Sequence, residues 1–156
     1  MSEHSLKPGV VTGDGYRTLV EAAKAGGYAL PAVNVVSTNS LNAVMEAAAK
    51  AGSDVILQLS NSGAAFYAGA GMPDAFTAKV QGAVAAAQHA HLLAEHYGIC
   101  VAMHTDHANK PLIPWVEAML DEGEKYYAAH GKPLFSSHML DLSADPIEFN
   151  LSECER

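Results

Sequence analysis

Strand-like and helix-like segments alternate along this 156-residue chain, and the alternation predicts an α/β fold with a parallel sheet. No hairpin signal such as Asn-Gly joins one strand segment to the next, which argues against antiparallel pairs. Polar residues also follow each of the four apolar strand segments. Four consecutive strand ends with polar groups at one rim are typical of a (β/α)8 TIM barrel, and the chain would supply roughly its first four βα units.

Capping residues and glycines mark the elements of the first half. Asp14 is expected to cap the first helix, which Gly26 and Gly27 end. Pro31 interrupts the first strand, and Ser37 is one of three adjacent candidate caps for the second helix. The predicted elements are a helix over 15–25, a strand over 28–36, a helix over 40–51, a strand over 54–59 and a Gly/Ser/Ala-rich loop through residue 73.

Glycine and proline also punctuate the second half. Gly98 stops a long helix, and Gly131 and Pro133 stop the helix that follows Pro114. The predicted elements are a helix over 77–97, a strand over 99–103, a helix ending near 129, a strand over 134–140 and the start of a helix over 145–156.

The strand over 99–103 carries the strongest functional signal. It is apolar on both faces, as in a strand covered on both sides of a parallel sheet. His104, Asp106 and His107 appear where this strand runs out. In α/β proteins metals and substrates bind at the carboxyl ends of strands, so these residues predict the chemical site.

The other strand ends offer further polar groups. They are Asn34, the pair Ser60 and Asn61, and the pair His138 and Asp141. A doubly wound nucleotide-binding sheet remains an alternative, but its GxGxxG motif does not follow the first predicted strand. The placement of polar residues therefore favours the barrel.

Composition narrows the classes of partner. The formal net charge is −8 and the chain has no Lys/Arg run, which argues against a nucleic-acid partner or an anionic membrane surface. A bound phosphate would need backbone N–H groups or a metal. Two cysteines without CxxC spacing indicate neither a disulfide scaffold nor a zinc ribbon. No stretch has the apolar length of a leader or a spanning helix, so the expected location is cytoplasmic.

Six segments resemble one enzyme family, the class II (metal-dependent) fructose-1,6-bisphosphate aldolases, and most closely its dimeric class IIA subgroup. They follow the family's order and cover about the amino-terminal half of such an enzyme. The segments are Lys7-Pro-Gly-Val-Val-Thr-Gly-Asp, Ala29-Leu-Pro-Ala-Val-Asn, Gln58-Leu-Ser-Asn-Ser-Gly-Ala, Ala94-Glu-His-Tyr-Gly, His104-Thr-Asp-His and Gly131-Lys-Pro-Leu-Phe-Ser-Ser-His-Met-Leu-Asp-Leu-Ser.

The resemblance implies aldol cleavage of fructose 1,6-bisphosphate to dihydroxyacetone phosphate and glyceraldehyde 3-phosphate, with a catalytic Zn²⁺. His107 would be the first zinc ligand, and Asp106 the acid/base that exchanges a proton with the C4 oxygen. Asp141 would help to hold a second divalent or monovalent cation. Ser60 and Asn34 would line the triose-phosphate pocket.

The resemblance also implies that several parts come from later in such an enzyme: two histidine ligands, the base, the phosphate-binding loop and an arginine of the partner subunit. Residues 1–156 are thus expected to be the amino-terminal portion of a single, truncated TIM-barrel aldolase domain. Four strands would leave both sheet edges open. The chain alone is expected to be inactive, and the full-length enzyme to be a homodimer.

Other interpretations stay open. The chain could belong to a related class II aldolase for tagatose bisphosphate or another phosphorylated ketose, or it could be an inactive half-barrel remnant. From residue types alone, His107 and Asp106 could be ordinary strand-end groups that bond to backbone, and Asp141 a turn former. Asn34 and Ser60 could satisfy local backbone groups. His104 is expected to have a structural role.

Overall fold

The computed structural model describes residues 5–156 as an α/β structure with one five-stranded parallel sheet. The strands are β1 Gly9–Val10, β2 Ala32–Asn34, β3 Val55–Leu59, β4 Cys100–Ala108 and β5 Ser137–Leu140. The α-helices are α1 Gly13–Gly26, α2 Thr38–Ala51, α3 Asn61–Ala68, α4 Ala75–Tyr97, α5 Ile113–His130 and α6 Ile147–Glu155, with a 3₁₀ turn at Lys110–Leu112 before α5.

The strand order identifies a barrel progression. β2, β3, β4 and β5 pair in chain order, all parallel, with helices between them. A doubly wound sheet reverses its order at a switch point, and the described strands show no such reversal. The prediction of four βα units of a (β/α)8 barrel is confirmed.

The short β1 strand is an addition that the sequence analysis did not predict. It pairs with Cys100 and Val101 at the start of β4, whereas β5 pairs with β4 from His104 onward. Because β3 occupies the other edge of β4, β1 and β5 follow each other along one edge. Two residues offer too little pattern for a strand to be recognised from sequence.

The sheet separates two cores. The larger lies between the sheet and the helices that follow its strands, and it contains Met103 and Trp115. The smaller lies on the opposite face, where Leu19 of α1 packs with Ala102. Adjacent residues of β4 therefore serve different cores, as the alternation of side chains along a strand requires. The apolar signal over 99–103 arose from burial on both faces.

The loop predicted through residue 73 is wrong for residues 61–68, which form α3. The Ser60 hydroxyl caps this helix by accepting from the Gly63 amide at 3.1 Å. Gly82 of α4 lets the two helices touch, since a Cβ on Gly82 would lie 1.8 Å from the Ala64 carbonyl oxygen. This close packing is a tertiary contact, and the small residues of this segment gave no sequence pattern that predicts it.

Several boundaries also move. Asp14 lies within the first turn of α1, and Thr12 is the N-cap residue, without a side-chain cap bond. β4 extends beyond the predicted end at Met103 and continues to Ala108. β5 begins at Ser137, so residues 134–136 of the predicted strand precede it. The Ser37 cap of α2 is confirmed. None of the described helices is long and apolar enough to cross a bilayer.

Candidate active site

The predicted polar residues lie at the carboxyl ends of the strands. Asn34 ends β2, Asp106 and His107 lie near the end of β4, and Asp141 directly follows β5. These four form one connected group of side chains. Ser60 follows β3 at the same rim, but no described hydrogen bond joins its side chain to the group.

Asp106 is held by an amide relay from two other strands. The Asn34 Nδ2 donates to Asp106 Oδ2 at 2.9 Å, and the Gln58 Nε2 donates to the Asn34 Oδ1. Asn34 and Gln58 are register partners on β2 and β3. Since Gln58 occupies the carbonyl end of the Asn34 amide, the NH₂ end faces Asp106. The Asp106 side chain is only 14% exposed.

Sequence reasoning missed Gln58. Its signal was present, because it is the one polar residue within the strand Val55–Leu59. A glutamine on a mostly buried strand must find partners for its amide. Its partner here is another side chain, 24 residues away, and the sequence offered no means of choosing it.

His107 lies between two carboxylates. Its Nδ1 is 3.0 Å from Asp141 Oδ2, and its Nε2 is 3.5 Å from Asp106 Oδ1. The ring is largely solvent-exposed, at 61%. Because Asp141 accepts at Nδ1, the imidazole carries its proton there in the neutral form, and Nε2 offers the lone pair.

The backbone at His107 is strained. Its φ is +39°, and no other non-glycine residue in the described range has a positive φ. The β4–β5 pairing shifts register between Thr105 and Ala108, and the Asp141 amide donates to the Ala108 carbonyl at 2.8 Å. Such strain persists where neighbouring contacts hold it, and it is typical of functional sites.

The two partners shift each other's protonation. The hydrogen bond that His107 donates to Asp141, followed by the charge of Asp106, raises the pKa of His107. The bonds from His107 and from the Ser143 hydroxyl lower the pKa of Asp141. At neutral pH Asp141 is therefore a carboxylate. The site carries negative charge beside an imidazole, a combination suited to a cation.

Ser60 keeps a donor available while it caps α3. Its Oγ accepts from the Gly63 amide and lies 3.3 Å from the Ser62 Oγ. The hydroxyl proton can turn toward a ligand at the rim. The capping bond shows that the local-backbone interpretation of Ser60 is at least part of its role.

His104 and His138 do not join the rim group. The His104 Nδ1 bonds the Ser137 Oγ at 2.8 Å, consistent with the structural role expected for it. His138 was grouped with the strand-end residues, but its Nδ1 bonds the buried Thr105 hydroxyl at 2.7 Å. Burial lowers the pKa of His138 to about 4. Because side chains alternate along a strand, His138 points to the same face of the sheet as its register partner Thr105, opposite to the face of Asp106.

The donor set fits one position of a zinc site. An imidazole whose second nitrogen donates to a carboxylate is the usual form of a histidine ligand, and His107 with Asp141 has this form. A catalytic zinc site takes three protein ligands. The described residues contain no group of three histidine, cysteine or acidic side chains that could hold a metal by itself.

A parallel sheet in sequential strand order, with titratable groups gathered at its carboxyl edge, is the arrangement of part of a (β/α)8 barrel. The family model described as "Fructose-bisphosphate aldolase class-II" matches residues 14–156. The chain belongs to the class II fructose-bisphosphate aldolase family, as its sequence resemblance indicated.

Individual relatives agree. The chain is 50% identical over 153 residues to the "Fructose-bisphosphate aldolase class 2" of Escherichia coli (strain K12), covering 97% of this chain and 43% of that protein. It is 52% identical over 148 residues to the fructose-bisphosphate aldolase of Borreliella burgdorferi, covering 94% of this chain and 41% of that protein. The crystal structure of the fructose-bisphosphate aldolase of Campylobacter jejuni superposes with a TM-score of 0.92 at 51% identity, covering 96% of this chain and 43% of that one. The chain thus spans less than half the length of these relatives.

Proposed function

We propose that the enzyme containing this chain catalyses metal-dependent aldol cleavage of fructose 1,6-bisphosphate, and the reverse condensation. The products would be dihydroxyacetone phosphate and glyceraldehyde 3-phosphate. The observation that carries the proposal is the connected group of Asn34, Asp106, His107 and Asp141. Membership of the family supplies the reaction class.

Asp106 is proposed as the general acid/base. Cleavage of the C3–C4 bond of an open-chain ketose removes the proton of the C4 hydroxyl, and condensation returns it. Asp106 is mostly shielded from water, and the Asn34 amide holds its Oδ2. Its Oδ1, which faces His107, would be the oxygen that exchanges that proton.

His107 is proposed as a ligand of a catalytic Zn²⁺ through Nε2. When bound, the ion supplies a Lewis acid that polarises the ketone carbonyl and stabilises negative charge on it. Asp141 orients the His107 ring through Nδ1. Asp141 is also proposed to help hold a second divalent or monovalent cation, since its Oδ2 accepts from His107 and keeps a further lone pair, whereas its Oδ1 accepts from both the amide and the hydroxyl of Ser143.

Asn34 and Ser60 are proposed to line the pocket for a triose-phosphate portion of the substrate. Both present polar hydrogens at the rim, where the chain's overall negative charge offers a phosphate no general attraction. Residues 1–156 would then form the amino-terminal portion of a single barrel domain. The remaining zinc ligands would come from outside the described residues, in a cytoplasmic homodimer.

The first test is cleavage of fructose 1,6-bisphosphate by the native gene product, before and after chelator treatment and zinc replacement. Asp106→Ala should keep its zinc while turnover falls by roughly 10²-fold or more. His107→Ala should lose both. The exposed histidine of α4 offers a matched control, and His96→Ala should retain zinc and rate. Full activity in either site variant would contradict the assignments.

The same assay addresses substrate choice. Tagatose 1,6-bisphosphate differs from fructose 1,6-bisphosphate in configuration at C4, the carbon whose oxygen Asp106 would serve. A higher kcat/KM on the tagatose compound would place the enzyme with the related ketose aldolases. No activity on any phosphorylated ketose, together with no bound zinc, would indicate a non-catalytic protein.

A further inference from the structure

We propose that Thr105 and His138 are positioning residues: their hydrogen bond fixes β5 against β4 and so keeps His107 in contact with Asp141. The consequence for zinc binding rests on the proposed function, whereas the contact between His107 and Asp141 can be tested without any metal. Neither Thr105 nor His138 lies in the rim group itself.

The bond belongs to a pair of cross-strand links at one place in the sheet. Thr105 and His138 are register partners, as are His104 and Ser137. The first pair shares a bond of 2.7 Å and the second one of 2.8 Å. Consecutive residues of a strand point to opposite faces, so the two bonds link β4 and β5 from both sides.

These links stand immediately before the irregular segment. The pairing of β4 with β5 is interrupted after Thr105 and resumes at Ala108, opposite Leu140, in a shifted register. His107 lies within that interval with a strained backbone. Strained residues persist when their surroundings over-determine the conformation. The two cross-strand bonds constrain β4 just before His107. They are needed there because β4 and β5 have no regular pairs between Thr105 and Ala108.

Burial makes the Thr105 link demanding. Thr105 is fully buried, so an unpaired hydroxyl there would carry the cost of desolvation without a compensating bond. The His138 ring packs against Phe135 with ring centroids 5.1 Å apart. Burial lowers the pKa of His138 to about 4, which keeps its imidazole neutral near pH 7. A slip of β5 by one residue would break both links and reverse its faces.

Two substitutions at one position separate hydrogen bonding from packing. Thr105→Val keeps the volume and removes the hydroxyl, whereas Thr105→Ser keeps the hydroxyl and removes a methyl group. When Thr105→Val is made in the native gene product, the affinity for Zn²⁺ should fall about 10-fold or more. This is the usual effect of removing a group that orients a metal ligand. The affinity should stay within about twofold in the serine variant. The exposed Thr77→Val serves as control.

A second measurement needs no metal. In the chelated protein, ¹⁵N NMR of labelled histidines reports which nitrogen of His107 carries the proton. The wild type and Thr105→Ser should show the Nδ1–H form that bonds Asp141. Thr105→Val should shift toward the Nε2–H form, which free imidazole side chains favour. If Thr105→Val destabilises the fold, His138→Leu and His138→Asn provide the same comparison, because Asn retains a polar atom near the Nδ1 position.

The outcomes are distinguishable. A wild-type protein that binds no zinc but shows the expected tautomer change would overturn the proposed function and support the positioning role. Unchanged tautomer and zinc affinity in folded Thr105→Val would overturn the positioning role. A serine variant more impaired than the valine variant would also overturn it, since packing alone would then explain the site.

Discussion

The Asn34 amide donates to the Asp106 carboxylate across β3, joining residues 72 positions apart in the chain. Their strands are not neighbours, so the bond spans the strand that lies between them. That intervening strand supplies Gln58, whose amide bonds the Asn34 oxygen. Three consecutive strands thus fix the orientation of one carboxylate. A relay of this kind makes the proposed acid/base residue depend on a glutamine that has no described hydrogen bond to it.

Gln58→Leu should therefore lower the kcat of the native gene product. The leucine suits a buried strand, but the Asn34 amide loses its orienting partner and is free to rotate. We expect kcat to fall about 10-fold. This is less than the roughly 10²-fold loss expected when the acid/base residue itself is removed, because Asp106 would be misoriented and not absent. Steady-state cleavage of fructose 1,6-bisphosphate measures it. The exposed Gln88→Leu is the control, and an unchanged kcat in Gln58→Leu would refute the relay.

Much of the fold was predictable because its signals are local. Ser37 and Gly98 are strong helix-boundary residues, and the structure uses both. α3 was not predictable, because its stability depends on the contact of Ala64 with Gly82, which lies 18 residues after Ala64 in the chain. The extension of β4 past Met103 was missed because polar residues took the place of the apolar pattern at the rim.

Four members of the candidate site were predictable, whereas Gln58 and the geometry of the site were not. Polar residues at strand ends identified Asn34, Asp106, His107 and Asp141, because parallel strands bring their carboxyl ends to one edge. The bonds between them depend on register. His138 shows the limit, since a strand-end histidine in the sequence is, in the structure, the half-buried register partner of the buried Thr105.

Gly82→Ala should destabilise the protein strongly. A Cβ at Gly82 would lie 1.8 Å from the Ala64 carbonyl oxygen, which is backbone and cannot move aside without shifting α3. We expect the free energy of unfolding to fall by about 3 kcal/mol or more. Gly123 is the matched control, because it also lies within a helix and a Cβ there meets nothing within 4 Å.

Gly123→Ala should raise the free energy of unfolding by up to about 1 kcal/mol, the helix preference for alanine over glycine. Urea unfolding of both variants beside the wild type gives the comparison. Equal stability of the Gly82→Ala and Gly123→Ala variants would show that α3 and α4 do not approach as closely as described.

Two half-buried histidines, His91 and His138, should make the stability of the fold decrease as the pH falls. Burial lowers the pKa of His91 and of His138 from 6.5 to about 4. Between these values the two histidines bind protons in the unfolded chain but not in the folded one. The stabilisation from the two neutral histidines is therefore fully present above pH 6.5 and is lost as the pH falls toward 4. Each proton changes the free energy of unfolding by about 1.4 kcal/mol per pH unit.

Urea unfolding between pH 7.5 and 4.5 measures this slope. His91→Gln removes one of the two groups and keeps a donor for the Leu134 carbonyl, which His91 bonds at 2.9 Å. The slope near pH 5.5 should decrease by about one proton in this variant. An identical slope in the wild type and in His91→Gln would show that His91 is not held neutral by burial.

Ser136→Ala should weaken the junction where β1 ends and β5 begins along β4. The Ser136 Oγ accepts from the Met103 amide at 2.9 Å and donates to the Val11 carbonyl at 2.6 Å. Met103 and Val11 are buried, so alanine would leave two backbone groups without this partner in a place that water does not readily reach. The expected loss is about 2 kcal/mol in the free energy of unfolding, with faster hydrogen exchange at the Met103 amide.

The exposed Ser152→Ala is the control for Ser136→Ala, and it should change the free energy of unfolding by no more than about 0.5 kcal/mol. Slow exchange at Met103 in Ser136→Ala would mean that backbone pairing alone closes the junction.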